Sequence, residues 1–297
     1  MDIINQRPID SLSNDNTLFC TEQCNNHCLM CCQPPQRQDD IDLLFQENVN
    51  RIKKAPKDIS IIGITGGEPT LLGVKLIELI KLIRIELPNT DIHVLSNGRN
   101  FFDDSFARNV VEAGGERLII GIPLHSDYAK DHDLIAGCKG AYNETVQGLY
   151  NLASYGACIE LRIVVNRQNY QRLFEMSEFI RKNLPFVTWV AFMGMEYIGF
   201  AIKNARRIWI EPLDYIEPLQ KAIHNMAEWN CRASIYNIPL CLLPIDLHPF
   251  AEQSISDWKQ LFLKECDECA LKDKCCGSFQ TSIKPYVGLH PIRAKED

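Results

Sequence analysis

The stretch Thr21-Glu22-Gln23-Cys24-Asn25-Asn26-His27-Cys28-Leu29-Met30-Cys31 places three cysteines in the spacing C-x3-C-x2-C. Thiolates are soft ligands that favour iron–sulfur clusters, zinc and cuprous ions over hard cations. A [4Fe-4S] cluster usually takes one cysteine per iron, so three cysteines leave one iron open to a substrate or cofactor. A structural zinc site takes four protein ligands instead. The loop therefore predicts a cluster with an open iron, with a zinc knuckle as the alternative.

Two further cysteines lie beside this triplet. Cys20 would close an all-cysteine quartet with it, but Cys20 ends a predicted strand at 17–20, and we expect the metal-binding loop to begin after that strand. Cys32 is an alternative to Cys31, although only Cys31 gives the two-residue gap. We therefore assign Cys24, Cys28 and Cys31 as the ligands.

Composition limits the classes of protein that the chain can belong to. Its 297 residues suffice for one barrel-type domain or for two domains. Of the thirteen cysteines, five lie at 20–32 and five at 241–276, which indicates metal binding rather than a disulfide framework, since no secretion signal precedes them. A net charge of −7 argues against sequence-independent nucleic-acid binding, and no apolar run is long enough to span a membrane. We expect a cytoplasmic protein without nucleic-acid or membrane partners.

Strand and helix patterns alternate over the first two thirds of the chain. Strands are predicted at 17–20, 58–65, 91–96, 117–124, 159–165 and 188–195, and helices at 41–54, 74–87, 105–113, 143–155 and 170–183. This alternation gives a parallel sheet with right-handed crossovers, and six units predict an open, partial (β/α)6 TIM-like barrel. We expect this α/β barrel at 1–200 and a small C-terminal domain at 201–297.

Several polar residues follow the predicted strands, at the edge where parallel barrels place their chemistry. Gly66 and Gly67 let the backbone approach a ligand, and the adjacent Glu68 can accept hydrogen bonds from an ammonium group, although such a sequence is also a common turn. Ser96 and Asn97 end the third strand, where turn polarity alone would also explain them. Arg162 is a charge inside an apolar strand and needs an anion, either a ligand or Glu160 on the same strand face.

A second group of cysteines lies in the last sixty residues. Cys266 and Cys269 form a C-x2-C pair, Cys275 and Cys276 follow, and Cys241 stands upstream. On spacing alone, zinc ranks equal to or above an iron–sulfur cluster at such a site.

Five segments together resemble one family. They are the cysteine loop with its following Gln-Pro-Pro, GITGGEPTLLG at 63–73, HVLSNGR at 93–99, FMGME at 192–196 and SISDWK at 254–259. The chain is similar to the radical S-adenosylmethionine (SAM) maturases of the His-Xaa-Ser peptide system, and its tail resembles SPASM or twitch-type auxiliary-cluster domains. It departs from that pattern at Cys32, where a small residue is expected, and at Cys276, where glycine is expected.

The resemblance implies the roles of individual residues. Cys24, Cys28 and Cys31 would hold a cluster whose open iron chelates SAM, and one electron would cleave SAM to methionine and a 5′-deoxyadenosyl radical. Gly66, Gly67 and Glu68 would face the SAM amino group, Ser96 and Asn97 the ribose, and Arg162 the carboxylate. The ligands of a second, auxiliary [4Fe-4S] cluster would be Cys241, Cys266, Cys269 and Cys275, with Cys276 as a spare. A zinc ribbon is the alternative for the tail.

The resemblance also implies an oxygen-sensitive enzyme that modifies a ribosomally made precursor peptide, with a cross-link as the expected product. A flavodoxin- or ferredoxin-type electron donor and a companion maturation protein are the expected partners. No winged-helix segment for leader binding is apparent, so we expect leader recognition to use another surface or a separate protein. The alternatives are a radical SAM enzyme acting on a small molecule or nucleotide, and a non-catalytic zinc-binding protein.

Overall fold

The computed structural model describes residues 7–13 and 15–293. Within these residues the chain forms a seven-stranded sheet whose spatial order follows the sequence order. Its strands are β1 (Thr17–Phe19), β2 (Ile61–Thr65), β3 (Asp91–Leu95), β4 (Leu118–Pro123), β5 (Cys158–Val164), β6 (Trp189–Met193) and β7 (Ala233–Tyr236). Pairing is parallel between β1 and β2, β2 and β3, β3 and β4, and β6 and β7.

Helices connect these strands. They are α1 (Ile41–Lys54), α2 (Val74–Glu86), α3 (Asp104–Gly114), α4 (Ala129–Ala136), α5 (Ala141–Ser154), α6 (Leu173–Asn183), α7 (Phe200–Lys203), α8 (Ala205–Ile208) and α9 (Ile216–Glu228). The predicted partial α/β barrel is confirmed. The sequence pattern predicted no element at 129–136, where α4 forms, because eight residues are too few to display a helical period.

The sheet is longer than predicted by one strand. The apolar pattern at 233–237 also predicts a strand, which falls within the C-terminal domain expected at 201–297. In the structure β7 pairs in parallel with β6, from Val190 opposite Ala233 to Met193 opposite Tyr236. The connection is α9, which buries Leu219, Ile223 and other apolar side chains on one face and so supplies the crossover that a parallel strand requires.

The chain divides into two compact units. One comprises the residues up to His27, Gln33–Pro123 and Ala136–Glu160; the other comprises Cys28–Cys32, Leu124–Ile135 and the residues from Leu161 onwards. The separation of a barrel at 1–200 from a domain at 201–297 stays a prediction.

In the first unit, apolar periodicity determines which faces are buried. Ile62 and Ile64 alternate along β2 and are fully buried, as the pleat of a strand requires. The helix α2 buries Leu76, Leu79, Ile80 and Ile83 at intervals of three and four residues. Each such side chain contributes about 1.5–3 kcal/mol to stability.

The C-terminal part of the second unit has little regular structure. A two-stranded antiparallel ladder joins β8 (Gln260–Leu261) to β9 (Ser278–Phe279), and short 3₁₀ turns precede and follow β8. A small apolar cluster consists of Ile255, Cys276 and Phe279. So small a core is typical of a segment that gains stability from a bound metal centre.

No helix of the described chain is both long enough and apolar enough to cross a membrane.

The buried face of α2 generates a stability prediction. We expect Leu79→Ala to lower the free energy of unfolding by about 2–5 kcal/mol, because Leu79 is fully buried and alanine leaves a cavity. Val74→Ala, on the same helix with 68 % of the side chain exposed, should change it by less than about 0.5 kcal/mol. Urea unfolding of the reduced, cluster-free protein measures both. Equal effects would mean that α2 does not pack as described.

Candidate active site

The beginning of the cysteine loop is joined to the glycine turn by backbone hydrogen bonds. The N–H of Gly67 donates to the carbonyl of Thr21 (2.6 Å), and the N–H of Glu68 donates to that of Gln23 (2.7 Å). From the other side, Asp40 accepts from the Thr21 hydroxyl (2.6 Å) and from the N–H of Glu22 (2.7 Å). The backbone leading into Cys24 is therefore held at both sides.

Only glycine fits at the two positions of this turn. At Gly66, φ is +151°, and a Cβ would lie 2.7 Å from the Thr21 carbonyl oxygen. At Gly67 a Cβ would lie 2.0 Å from the Gln23 carbonyl oxygen, which is far inside van der Waals contact. The two glycines thus permit the approach of the cysteine loop itself, in addition to the predicted approach of a ligand.

Glu68 is a fully buried carboxylate with four donors around it. Its Oε1 accepts from the Thr70 N–H (3.0 Å), the Thr70 hydroxyl (2.6 Å) and the Ser96 hydroxyl (2.7 Å), and its Oε2 accepts from the Asn97 N–H (2.6 Å). Burial raises the pKa of Glu68, and these hydrogen bonds oppose that rise. A carboxylate offers about four lone pairs for accepting hydrogen bonds. The four donors therefore use most of them, and Glu68 connects β2 to the residues that follow β3.

The residues after β3 also contact the cysteine loop. The amide of Asn97 donates to Asn25 Oδ1 (2.5 Å) and makes a longer contact to Cys24 Sγ (3.9 Å), which also accepts from the Asn26 N–H (3.4 Å). Arg99 donates to the Asn25 carbonyl (2.5 Å) and to Asn26 Oδ1 (2.9 Å), and it is paired with Glu144 at 2.6 Å. Polar groups of the first unit thus surround Cys24.

The remaining two thiols of the triplet belong to the second unit and are held by other elements. The Cys31 N–H donates to the Cys28 carbonyl (3.1 Å), and the Cys31 carbonyl accepts from Phe200 (2.9 Å). Gly199 has φ +59°, and a Cβ there would lie 2.5 Å from the Cys31 carbonyl oxygen. The side chain of Asn204 donates to the Leu29 carbonyl (3.0 Å). The segment leading into α7 therefore fixes the end of the loop.

A buried histidine lies beside Cys28. Nε2 of His125 is 4.0 Å from Cys28 Sγ, and the imidazole ring centroid is 5.1 Å from that of His132. Burial and then the neighbouring His132 hold the pKa of His125 well below its ordinary value, and burial lowers the pKa of His132 to about 4. Both shifts favour the neutral imidazole.

The two rival cysteines of the loop lie in different surroundings. Cys20 is fully buried directly after β1, next to Asn48, and burial raises the pKa of its thiol to about 12. The assignment of Cys24, Cys28 and Cys31 without Cys20 stays a prediction. Cys32 is exposed.

Arg162 lies on β5 and is half-buried, and its carbonyl accepts from the Leu124 N–H (3.1 Å). Glu160, the alternative partner named from the sequence, has its Oε2 2.8 Å from Nε2 of His93.

The four assigned tail cysteines line one pocket. Cys241, Cys266, Cys269 and Cys275 share its wall with apolar side chains, among them Leu261 and Ile292. Cys276 instead joins the small apolar cluster and is 3 % exposed. The choice of Cys275 rather than Cys276 as a ligand stays a prediction.

Backbone donors point at two of these sulfurs. Cys275 Sγ accepts from the N–H groups of Leu240 and Gly277 (3.4 Å each), and Cys269 Sγ accepts from that of Ile292 (3.4 Å). The hydrogen bond from Cys276 lowers the pKa of Cys275 to about 6. Two of the four thiols thus accept backbone N–H groups, and N–H donors and apolar walls are the surroundings that a cysteine-ligated iron–sulfur cluster uses. In the described residues no three His, Cys, Asp or Glu side chains stand in metal-binding geometry.

Two supporting residues were not predicted. Arg99 was part of a quoted segment without a role, and Asp40 was not singled out. Their partners are backbone or amide groups up to about seventy-five positions away in the sequence, and no spacing rule along the chain reports such contacts.

Residues 18–180, more than half of the chain, match the model of the radical SAM superfamily. The chain therefore belongs to this superfamily, and it is a radical SAM enzyme. The family implies SAM and a [4Fe-4S] cluster as cofactors.

Particular relatives differ in what they act on. A probable GTP 3′,8-cyclase of Saccharolobus islandicus is 28 % identical over 175 residues, which are 58 % of this chain and 53 % of the relative. The sporulation killing factor maturation protein SkfB of Bacillus subtilis is 22 % identical, and the match covers 90 % of this chain and 70 % of SkfB. The structure of Streptococcus suis SuiB bound to the precursor peptide SuiA has a TM-score of 0.59 and 13 % identity, and the match covers 81 % of this chain and 52 % of that one.

Two of these similarities cover only part of the relative's length. The chain spans about half the length of the cyclase and of SuiB. The likeness to SuiB establishes the fold, and the resemblance to radical SAM peptide maturases is confirmed at the level of family and architecture.

The glycine turn generates a prediction about SAM cleavage. We expect Gly67→Ala to lower the rate of 5′-deoxyadenosine formation by about a hundredfold or more, because the new Cβ displaces the Gln23 backbone next to Cys24. Gly63→Ala in β2 is the matched control: its Cβ would meet nothing closer than 3.5 Å, so cleavage should continue. Wild-type rates in Gly67→Ala would contradict the described contact.

Proposed function

We propose that this enzyme modifies a ribosomally made precursor peptide, with a cross-link between an aromatic or histidine side chain and a β-carbon as the product. The observation that carries the proposal is the tail pocket, in which four thiols face one space. Four cysteine ligands would complete the coordination of an auxiliary [4Fe-4S] cluster and leave no open iron for a small substrate. Similarity to SkfB over 90 % of the chain also favours a peptide.

The residues of the chain have distinct tasks in this proposal. Cys24, Cys28 and Cys31 hold the first cluster, and Gly66, Gly67, Ser96 and Asn97 form the backbone and side-chain cradle for SAM. Glu68 fixes the position of that cradle, and Arg162 offers the charge for the SAM carboxylate. Bound cluster and SAM supply the one-electron reduction and the hydrogen-atom abstraction, while the protein supplies orientation and exclusion of water.

The cross-link balances as the loss of two hydrogens from the peptide. One leaves as a hydrogen atom to the nucleoside fragment of SAM, and the other leaves as a proton. We propose Cys241, Cys266, Cys269 and Cys275, in a domain at 201–297, as the ligands of an auxiliary cluster, which would supply an acceptor for the remaining electron. A flavodoxin- or ferredoxin-type donor and a companion maturation protein are the proposed partners, and the cytoplasm is the proposed location.

A second candidate function is the modification of a nucleotide. Its support is the similarity to the probable GTP 3′,8-cyclase over 58 % of the chain. This candidate requires a substrate site that the four-thiol tail does not offer if all four thiols bind iron.

Metal content tests the proposed ligands. The anaerobically reconstituted protein should hold about eight irons, falling to about four in a Cys24/Cys28/Cys31→Ala variant. Cys32→Ala should keep all eight, because Cys32 is exposed and is not a proposed ligand. Iron and acid-labile sulfide are measured beside zinc. Four irons with one zinc in the wild-type protein would make the tail a structural zinc site.

Mass spectrometry tests the substrate class. The enzyme is expressed anaerobically with each short peptide encoded beside its gene, and is separately incubated with GTP, SAM and a reductant. We expect one peptide to become lighter by two hydrogens, in the wild-type protein and not in the Cys24/Cys28/Cys31→Ala variant. Consumption of GTP with every peptide unchanged would establish the nucleotide alternative.

A further inference from the structure

His125 is held in place by several elements although none of the proposed roles uses it. It is 3 % exposed, its backbone N–H donates to His132 Nδ1 (3.2 Å), and its carbonyl accepts from Asn169 Nδ2 (3.0 Å). Asn169 is anchored in turn, since its Oδ1 accepts from the Asn166 N–H (2.9 Å) and its Nδ2 also donates to the Val164 carbonyl (3.0 Å). The imidazole therefore has a fixed position directly after β4.

The surroundings of the two ring nitrogens determine the tautomer. Nδ1 of His125 is buried and has no hydrogen-bond partner among the residues that the structure describes, whereas Nε2 is 4.0 Å from Cys28 Sγ. A neutral imidazole carries one proton. Placed on Nδ1, that proton would be a buried donor without an acceptor, which costs about 1–3 kcal/mol. Placed on Nε2, it faces a sulfur. His132 does not alter this choice, because its Nδ1 already accepts from the His125 backbone.

We propose that His125 is a positioning residue that donates an Nε2–H···Sγ hydrogen bond to Cys28 and thereby raises the reduction potential of the SAM-cleaving cluster. The inference rests on the proposed role of Cys28 as a cluster ligand. Hydrogen bonds to the sulfurs are among the factors that set the potential of iron–sulfur clusters. A donor favours the reduced cluster, because that state carries one more negative charge on its iron and sulfur atoms.

The test uses substitutions that separate the position of the donor from the mere presence of a polar group. In His125→Gln an amide nitrogen takes the place of Nε2, and in His125→Asn it takes the place of Nδ1. His125→Phe keeps a ring and removes both nitrogens. Midpoint potentials are measured on the reconstituted full-length protein by EPR-monitored titration, using the signal that changes when SAM is added.

We expect the equilibrium constant for reducing that cluster to fall about tenfold in His125→Phe and His125→Asn. For one electron this is a shift of about 59 mV toward negative potential. His125→Gln should remain close to wild type, and the second cluster should keep its potential in all variants. Equal potentials for His125→Gln and His125→Asn, at wild-type iron content, would overturn the inference. Iron content distinguishes failure of the inference about His125 from failure of the proposed function. If the triplet binds no iron in the wild-type protein, the ligand assignment itself is wrong. If His125→Phe alone loses iron, the glutamine–asparagine comparison decides.

Discussion

The docking of the glycine turn against the start of the cysteine loop is the contact on which the first half of the site depends. Two backbone hydrogen bonds, of 2.6 and 2.7 Å, join Gly67 and Glu68 to Thr21 and Gln23. They form only if residue 67 has no Cβ, since that atom would lie 2.0 Å from a carbonyl oxygen. A steric requirement at one residue thus sets the distance between two loops that come from neighbouring parallel strands, β1 and β2.

The buried carboxylate of Glu68 extends this constraint to the third strand. Its four donors come from Thr70, Ser96 and Asn97, so the turn after β2 and the residues after β3 share one anchor. Every one of these donors fits the ionised carboxylate, whereas burial disfavours the charge. Removing the carboxylate would leave several buried donors unpaired, which is far more costly than losing one exposed contact. We therefore regard Glu68 as the structural centre that joins the glycine turn to the residues after β3.

How much of this was predictable from the sequence differs between elements. The helix at 41–54 was predicted with its observed bounds, because its apolar period is regular and its last turn is basic. The six strands were predictable from apolar runs and alternation, but the place of β7 was not, since period alone does not say which strand pairs with which. For the site, cysteine spacing and the glycine turn indicated the chemistry. The roles of Arg99, Asp40 and Asn169 depend on contacts to backbone atoms remote in sequence, which leave no local pattern.

Under the proposed function, the choice between a peptide and a small molecule depends on whether all four tail thiols bind iron. A [4Fe-4S] cluster usually takes one cysteine per iron, so it ligates a substrate directly only through an iron that lacks a protein ligand. In this tail Cys275 lines the pocket together with Cys241, Cys266 and Cys269 and accepts two backbone N–H groups, while Cys276 is buried in the apolar cluster and hydrogen-bonds to Cys275. With each iron of such a cluster matched by a thiol, the cluster would exchange electrons without binding substrate. The substrate would then have to be recognised by side-chain and backbone groups along an extended surface, and a peptide presents such groups over a greater length than a nucleotide does.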